Sequence, residues 1–201
     1  MSAPDDATRL PASRPGGRTA RVRADVLAAV ELELAERGYD GLSIDGVAAR
    51  SGVHRTTVYR RWGGVAGLLV DLLMAAGDDD WLPADTGSLE GDLIGLNREV
   101  YDALTAEPSL TAAVIAASFR TPEAAEALTR FWEDRHDRGA AVITRAVDRG
   151  ELPAGTDARR VLIAATAPVY YQLVLLRQPM TRAQADQFAR EAAAVQSTRE
   201  A

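Results

Sequence analysis

Residues 43–62 read S-I-D-G-V-A-A-R-S-G-V-H-R-T-T-V-Y-R-R-W, and no other stretch restricts the possible folds of this chain so strongly. Ser43 is a residue type that caps helix N-termini, and Gly52 supplies the backbone freedom that a tight turn between two helices needs. Four residues before that glycine, Ala48 is small enough to let the helices approach, while Val47, Val53 and Val58 form an apolar wedge between them. This spacing predicts a helix-turn-helix. The second helix then displays His54, Arg55, Thr56, Thr57, Tyr59, Arg60 and Arg61, whose guanidinium, hydroxyl and phenol groups suit phosphate oxygens and base edges in a major groove. On spacing alone, a helical hairpin with a solvated arginine face fits as well.

Charge distribution favours the first of these. The net charge is −6, yet residues 1–64 carry ten Arg against eight acidic residues, whereas residues 65–201 carry thirteen against twenty-one. The positive end coincides with the hairpin. The chain has no cysteine and only two histidines, His54 and His136, which leaves neither a disulfide framework nor a Cys/His zinc site. No metal and no cofactor are expected. No apolar run approaches the ~18 residues of a membrane span, and the N-terminus lacks the apolar core of a signal peptide, so the expectation is a cytoplasmic protein with no membrane partner.

The remaining elements all read as helices. Residues 1–17, rich in Pro, Gly and Ser, are read as a disordered tail. A helix from about Thr19 to Arg37 aligns Val26, Leu27, Val30 and Leu34 in one stripe and stops at Gly38. Arg18, Arg21 and Arg23 crowd its start, where the helix dipole disfavours them unless a phosphate lies near. After Gly63 and Gly64, a fourth helix from Val65 to about Ala76 turns Leu68, Leu69, Leu72 and Leu73 inward. Residues 77–88 are an acidic, turn-rich boundary in which Asp78, Asp79 and Asp80 match no calcium loop.

Helical punctuation then repeats to the end. Ser88 caps a helix closed by Pro108, Ser109 opens a short one through Phe119, and Thr121-Pro122-Glu123 starts a long one ending at Gly150. Asp157 caps a helix to about Arg177 that is apolar almost all round, and Thr181 with Gln184 forms a capping box for the last. A helix of that kind is buried on nearly all sides, either at the centre of one chain or partly against another subunit. No stretch sustains strand alternation. The fold class is all-α, with a helix-turn-helix domain at residues 18–64 and a helical domain at residues 65–201.

In L-A-E-R-G-Y (34–39), L-S-I-D-G-V-A-A-R-S-G-V (42–53) and T-T-V-Y-R-R-W (56–62) the sequence resembles the TetR family of one-component transcriptional regulators. The resemblance is close over about a quarter of the chain and fixes residue types on three consecutive helices. It implies about nine helices: three that bind DNA, a linking fourth, and a ligand-binding and dimerisation body whose last two helices form a homodimer. By the same resemblance, Ser43, Thr57, Tyr59 and Arg61 stand at phosphate-contacting positions, and Arg55, Thr56 and Arg60 at positions facing base edges. Two departures stand out: Val65 replaces a lysine common at the start of helix four, and Glu31 and Glu33 interrupt helix one where similar sequences are more apolar.

The function expected is therefore a repressor that binds a near-palindromic double-stranded DNA operator as a dimer and is released by an unknown small-molecule effector. Among helices five to eight, Tyr101, Phe119, Phe131, Trp132, Arg135, His136 and Tyr170 are the large or polar candidates for effector contact, and ordinary packing or exposure is the competing explanation for each. His136 beside Asp137 comes with no nucleophile elbow, P-loop or metal-ligand pair, so no catalytic residue is expected and the chain is not read as an enzyme. The alternative is a helical dimeric module that senses a ligand or binds a protein and no longer reads DNA.

Overall fold

Side-chain caps decide where most of these helices begin. In the computed structural model, which describes residues 16–77 and 81–197, Ser43, Ser88, Ser109, Thr121 and Asp157 each accept a hydrogen bond from a backbone N–H three residues on. Thr181 and Gln184 close the reciprocal capping box, the Thr181 N–H donating to the Gln184 amide oxygen at 2.8 Å. The resulting helices are α1 (Gly16–Gly41), α2 (Ile44–Ser51), α3 (Arg55–Trp62), α4 (Val65–Gly77), α5 (Leu89–Thr105), α6 (Leu110–Ser118), α7 (Pro122–Asp148), α8 (Ala158–Tyr170) and α9 (Arg182–Ser197). No strand occurs among the described residues.

Three expectations need correction. Helix α1 starts at Gly16, inside the segment read as a tail, and it runs on to Gly41 across a break at Gly38, whose φ of 66° is left-handed. Residues 1–15 of that segment lie outside the described residues, as do Asp78, Asp79 and Asp80. The helix expected to continue to Arg177 instead ends at Tyr170 and passes into a π-helical turn, Tyr171–Leu175, in which the Leu176 N–H donates to the Tyr171 carbonyl at 2.9 Å. Pro168 lies two residues before that end, and its nitrogen has no proton to donate back to the Ala164 carbonyl, which weakens the last turns of α8.

Helix α1 lays Val26, Leu27, Val30 and Leu34 against the hairpin and α4, and the same apolar cluster continues through Leu68, Leu72 and Leu73 into α6 and α7. The head, α1 to α3, and the body, α4 to α9, thus share one apolar core. A second cluster joins α5, α7, α8 and α9, where Ala189, Ala192 and Ala193 let α9 lie close to its neighbours.

Candidate functional site

The hairpin is built as its spacing requires. Val47 and Val58 are fully buried, and Gly52 holds the turn at a φ of 68°. Val58 and Trp62 anchor one side of α3 in the core, which turns the opposite side outward. There Arg55, Thr56, Tyr59, Arg60 and Arg61 are exposed, Tyr59 by 62%, while Thr57 is half-buried. Arg55 pairs with Asp45 at 2.8 Å, an exposed contact that water screens and a phosphate or base could displace. Arg61 lies over the Trp62 ring and donates to the Thr19 carbonyl at 3.2 Å. Ser43 spends its hydroxyl oxygen on the Gly46 N–H at 3.1 Å, so its part at the start of α2 is a helix cap.

Two carboxylates invisible to motif reasoning hold this face in place. Glu33, noted from sequence as an interruption of α1, is only 2% exposed and takes a 2.8 Å hydrogen bond from Arg50 of α2; Arg50 also reaches Glu36. It therefore ties α1 to the hairpin. Gly46 makes room for it, because a Cβ there would fall 2.5 Å from the Glu33 carboxylate. Asp71 of α4 receives both Arg23, at 2.9 and 3.1 Å, and the indole N–H of Trp62 at 2.8 Å. One carboxylate thus links α1, the end of α3, and α4. Burial alone would raise the Asp71 pKa, but hydrogen bonds from Arg23 and Trp62 outweigh it and hold the carboxyl below its ordinary range. Arg23, which crowded the start of α1 in sequence, finds its counter-charge inside the protein rather than on a phosphate.

Within the body, a cavity of about 310 Å³ opens between α4, α5, α6, α7 and α8. That lies at the lower end of ligand-pocket sizes, ~300–1,000 Å³. Phe131, Trp132, Arg135, His136 and Tyr170 line it; Tyr101 and Phe119 do not. Phe119 caps the end of α6 and is 81% exposed, and Tyr101 turns away to donate to the Met180 carbonyl at 3.1 Å. Trp132 stands at the centre of the aromatic wall, with ring centroids 5.1 Å from Phe131 and 5.2 Å from Tyr170, both edge to face.

The polar side of the cavity contains groups that sequence reasoning passed over. Trp81, from the acidic boundary, donates its indole N–H to Glu99 at 2.8 Å and lies 4.4 Å beneath the Arg135 guanidinium. A lone tryptophan in an acidic, turn-rich stretch was the available signal. Burial pushes the His136 pKa down, aided by Arg159 and opposed by Asp137, so the imidazole is neutral at neutral pH. Its Nδ1 is buried without a hydrogen-bond partner. Burial raises the Tyr170 phenol, which stays protonated. A wider groove of about 510 Å³ shares Trp132, His136, Thr166 and Tyr170 with the cavity and continues along Ile163, Tyr171 and Leu175.

Residues 26–72 match the family model described as bacterial regulatory proteins, tetR family, and residues 83–192 match that described as tetracyclin repressor-like, C-terminal domain. The chain is 32% identical over 149 residues to the HTH-type transcriptional regulator AqdR of Rhodococcus erythropolis, covering 73% of this chain and 71% of that one. It is 37% identical over 163 residues to a DNA-binding transcriptional repressor TetR of Mycobacteroides abscessus, covering 76% and 83% respectively. A crystal structure of a TetR family transcription regulator superposes with a TM-score of 0.70 at 26% identity, over 87% of this chain and 97% of the other. The fold is also that of FadR from Bacillus subtilis in complex with stearoyl-CoA, with a TM-score of 0.58 at 15% identity over 85% of this chain and 97% of that one.

Proposed function

The chain belongs to the TetR family of DNA-binding transcriptional regulators, and from that premise we propose that it is a cytoplasmic repressor, a homodimer on a near-palindromic operator, released when a small molecule enters its cavity. The observation that carries the proposal is the outward row on α3. A helix held by Val58 and Trp62 presents three arginines, a threonine and a tyrosine to solvent, with exposed contacts to give up: Arg55 with Asp45, Arg61 with the Thr19 carbonyl and Thr56 with His54. In this role Arg55, Thr56 and Arg60 read base edges, and Ser43, Thr57, Tyr59 and Arg61 sit against the phosphates. Thr57 and Ser43 take the smaller share, being half-buried.

The dimer is supported by what α8 and the π-turn leave uncovered. Ile163, Tyr171, Leu175 and Leu176 are 42–68% exposed in a single chain, and Val195 of α9 is 54% exposed. A second copy over that face would bury them. Two recognition helices would then enter major grooves about 34–36 Å apart. Cavity and α3 communicate through α4, since Leu73 lines the cavity and Asp71, two residues before it, holds Trp62. Family-scale coupling of about 1–3 kcal/mol corresponds to roughly 5- to 150-fold loss of DNA affinity on ligand binding.

A salt-dependent mobility shift on the DNA flanking the chain's own gene is the test. Specific retardation is expected, abolished when Arg55 and Tyr59 are both replaced by alanine. No retardation at low salt would favour a ligand-sensing or protein-binding dimer that has lost DNA recognition.

A further inference from the structure

We infer that the cavity takes a small monocarboxylate with an apolar body, its carboxylate on the Arg135 guanidinium and its body among the aromatic and leucine side chains of the wall. This names the chemistry of the effector and rests on the effector-responsive function proposed above.

An unpaired cation in a largely apolar lining directs the inference. Leucines from four helices, Leu73, Leu96, Leu110 and Leu162, line the cavity together with Trp132 and Tyr170. Some polar side chains of the lining are already engaged: Thr166 donates to the Leu162 carbonyl at 2.9 Å, and the exposed Glu99 accepts from Trp81 at 2.8 Å. His136 Nδ1 is sealed inside the protein, beyond the reach of a ligand. Arg135 differs from all of these. It has neither a hydrogen bond nor an ion pair among the described residues, and its guanidinium rests on ring faces instead, 4.4 Å over Trp81 and 5.1 Å over Phe131. The side chain is half-buried, and its nitrogens are not sealed as His136 Nδ1 is. Its charge reaches the Tyr170 phenol, whose pKa it draws down against the larger effect of burial. The Thr111 and Tyr170 hydroxyls are open as well, but an unpaired hydroxyl costs less than an unpaired guanidinium, so charge sets the class of ligand.

A carboxylate fits what Arg135 leaves open. Ring contacts use the face of the guanidinium, whereas its N–H groups lie in the plane as a fork that matches two carboxylate oxygens. Such a pair is stronger in a half-buried site than in bulk water. Glu99 does not take this place: it stands at the N–H edge of the Trp81 indole, not within ion-pair distance of the guanidinium. A second negative charge on the ligand would find no second arginine or lysine in the lining and would face Glu99. A phosphate monoester, which carries about −1.5 to −2 at neutral pH, therefore fits less well than a carboxylate.

The test uses the full-length protein and three probes on one ring system: 2-naphthoate, 2-naphthamide and 2-naphthyl phosphate at neutral pH. Binding is read by equilibrium dialysis, with quenching of tryptophan fluorescence as a second signal because Trp81 and Trp132 line the cavity. 2-Naphthoate should bind about 10- to 100-fold more tightly than the isosteric 2-naphthamide, and more tightly than 2-naphthyl phosphate. Arg135→Met keeps a long apolar stem, so it should abolish that preference and still bind 2-naphthamide as the parent does, which also shows that the cavity is intact. Arg135→Lys keeps the charge without the fork and should retain part of the preference. The proposal is overturned if 2-naphthamide or 2-naphthyl phosphate matches 2-naphthoate, if Arg135→Met keeps the preference or loses both probes alike, or if none of the probes binds. Mobility shifts on the same preparations separate the two readings. Intact DNA retardation without naphthoate binding rejects the ligand chemistry alone, whereas naphthoate selectivity without retardation rejects only the regulatory role.

Discussion

The recognition hairpin and the ligand cavity solve opposite problems with the same materials. On the hairpin, polar side chains point outward and the charges that matter most for its shape, Glu33 and Asp71, are tucked behind them. In the cavity, aromatic side chains point inward and the charges Glu99 and Arg135 are held against an indole at its edge. The hairpin is therefore held by ion pairs that tolerate little change, while the cavity wall is held by aromatic packing that leaves room for a guest. On the proposed function, this difference would suit α3 to reading DNA and the cavity to sensing a ligand.

The largest test of that contrast is Glu33→Ala. It strands the Arg50 guanidinium against Glu36 alone and removes the tie between α1 and α2. Loss of that tie should lower stability more than any other single change named here, which chemical denaturation should report, with DNA retardation lost. If ligand binding by the folded fraction disappears equally, the two regions are not separable in the way described.

Next in size is Gly46→Ala, whose new Cβ would sit 2.5 Å from the Glu33 carboxylate. A displacement of that ion pair should destabilise the protein by about 1–3 kcal/mol, read as a shift in denaturation midpoint at constant slope. Gly139→Ala is its counterpart in the cavity wall, where the Cβ would meet Leu162 Cδ1 at 3.0 Å. There the improved helix propensity, about 1 kcal/mol, offsets the crowding. Stability should stay within about 1 kcal/mol of the parent, and the cost should fall on ligand affinity instead.

Asp71→Asn addresses the joint between the regions. The amide still accepts from Trp62 but forfeits the charge facing Arg23, for a loss of about 1 kcal/mol, as befits a partly exposed pair. Because the Asp71 pKa is lowered on folding from an ordinary value of 3.8, its stabilisation is complete above that pH and disappears as the pH falls through the folded value. The stability difference between parent and variant should therefore close in acid. A difference that persists at low pH would show that the tether works through shape rather than charge.

Ser43→Ala should be the mildest change to the head, about 1 kcal/mol or less, through loss of the cap to Gly46. A much greater loss of DNA retardation than of thermal stability would mark a phosphate contact by Ser43 beyond its capping role.

Local chemistry explains how much could be read in advance. Caps such as Ser43, Thr121 and Thr181, and the left-handed turn at Gly52, act over three or four residues, so their effect stands in the sequence itself. The outward set on α3 was legible for the same reason: with Val58 and Trp62 inward, a helix has only one other side. In the candidate pocket, Phe131, Trp132, Arg135 and His136 share one helix and emerged together, whereas Tyr101 and Phe119 were chosen by residue type without knowledge of direction. Pro168 was in plain view, yet the apolar run around it masked the interruption.

By itself the sequence determined an all-α chain, its helix starts, and a hairpin with a polar outer face, because periodicity and capping operate within a turn or two of helix. Only the tertiary structure decided that Glu33 anchors the hairpin, that Asp71 gathers α1, α3 and α4, and that Trp81 joins the cavity wall. Those contacts link residues 9 to 54 positions apart, Trp62 with Asp71 and Trp81 with Arg135 at the two ends. Which side chain meets which across such intervals is set by how whole helices pack, and no local pattern encodes it.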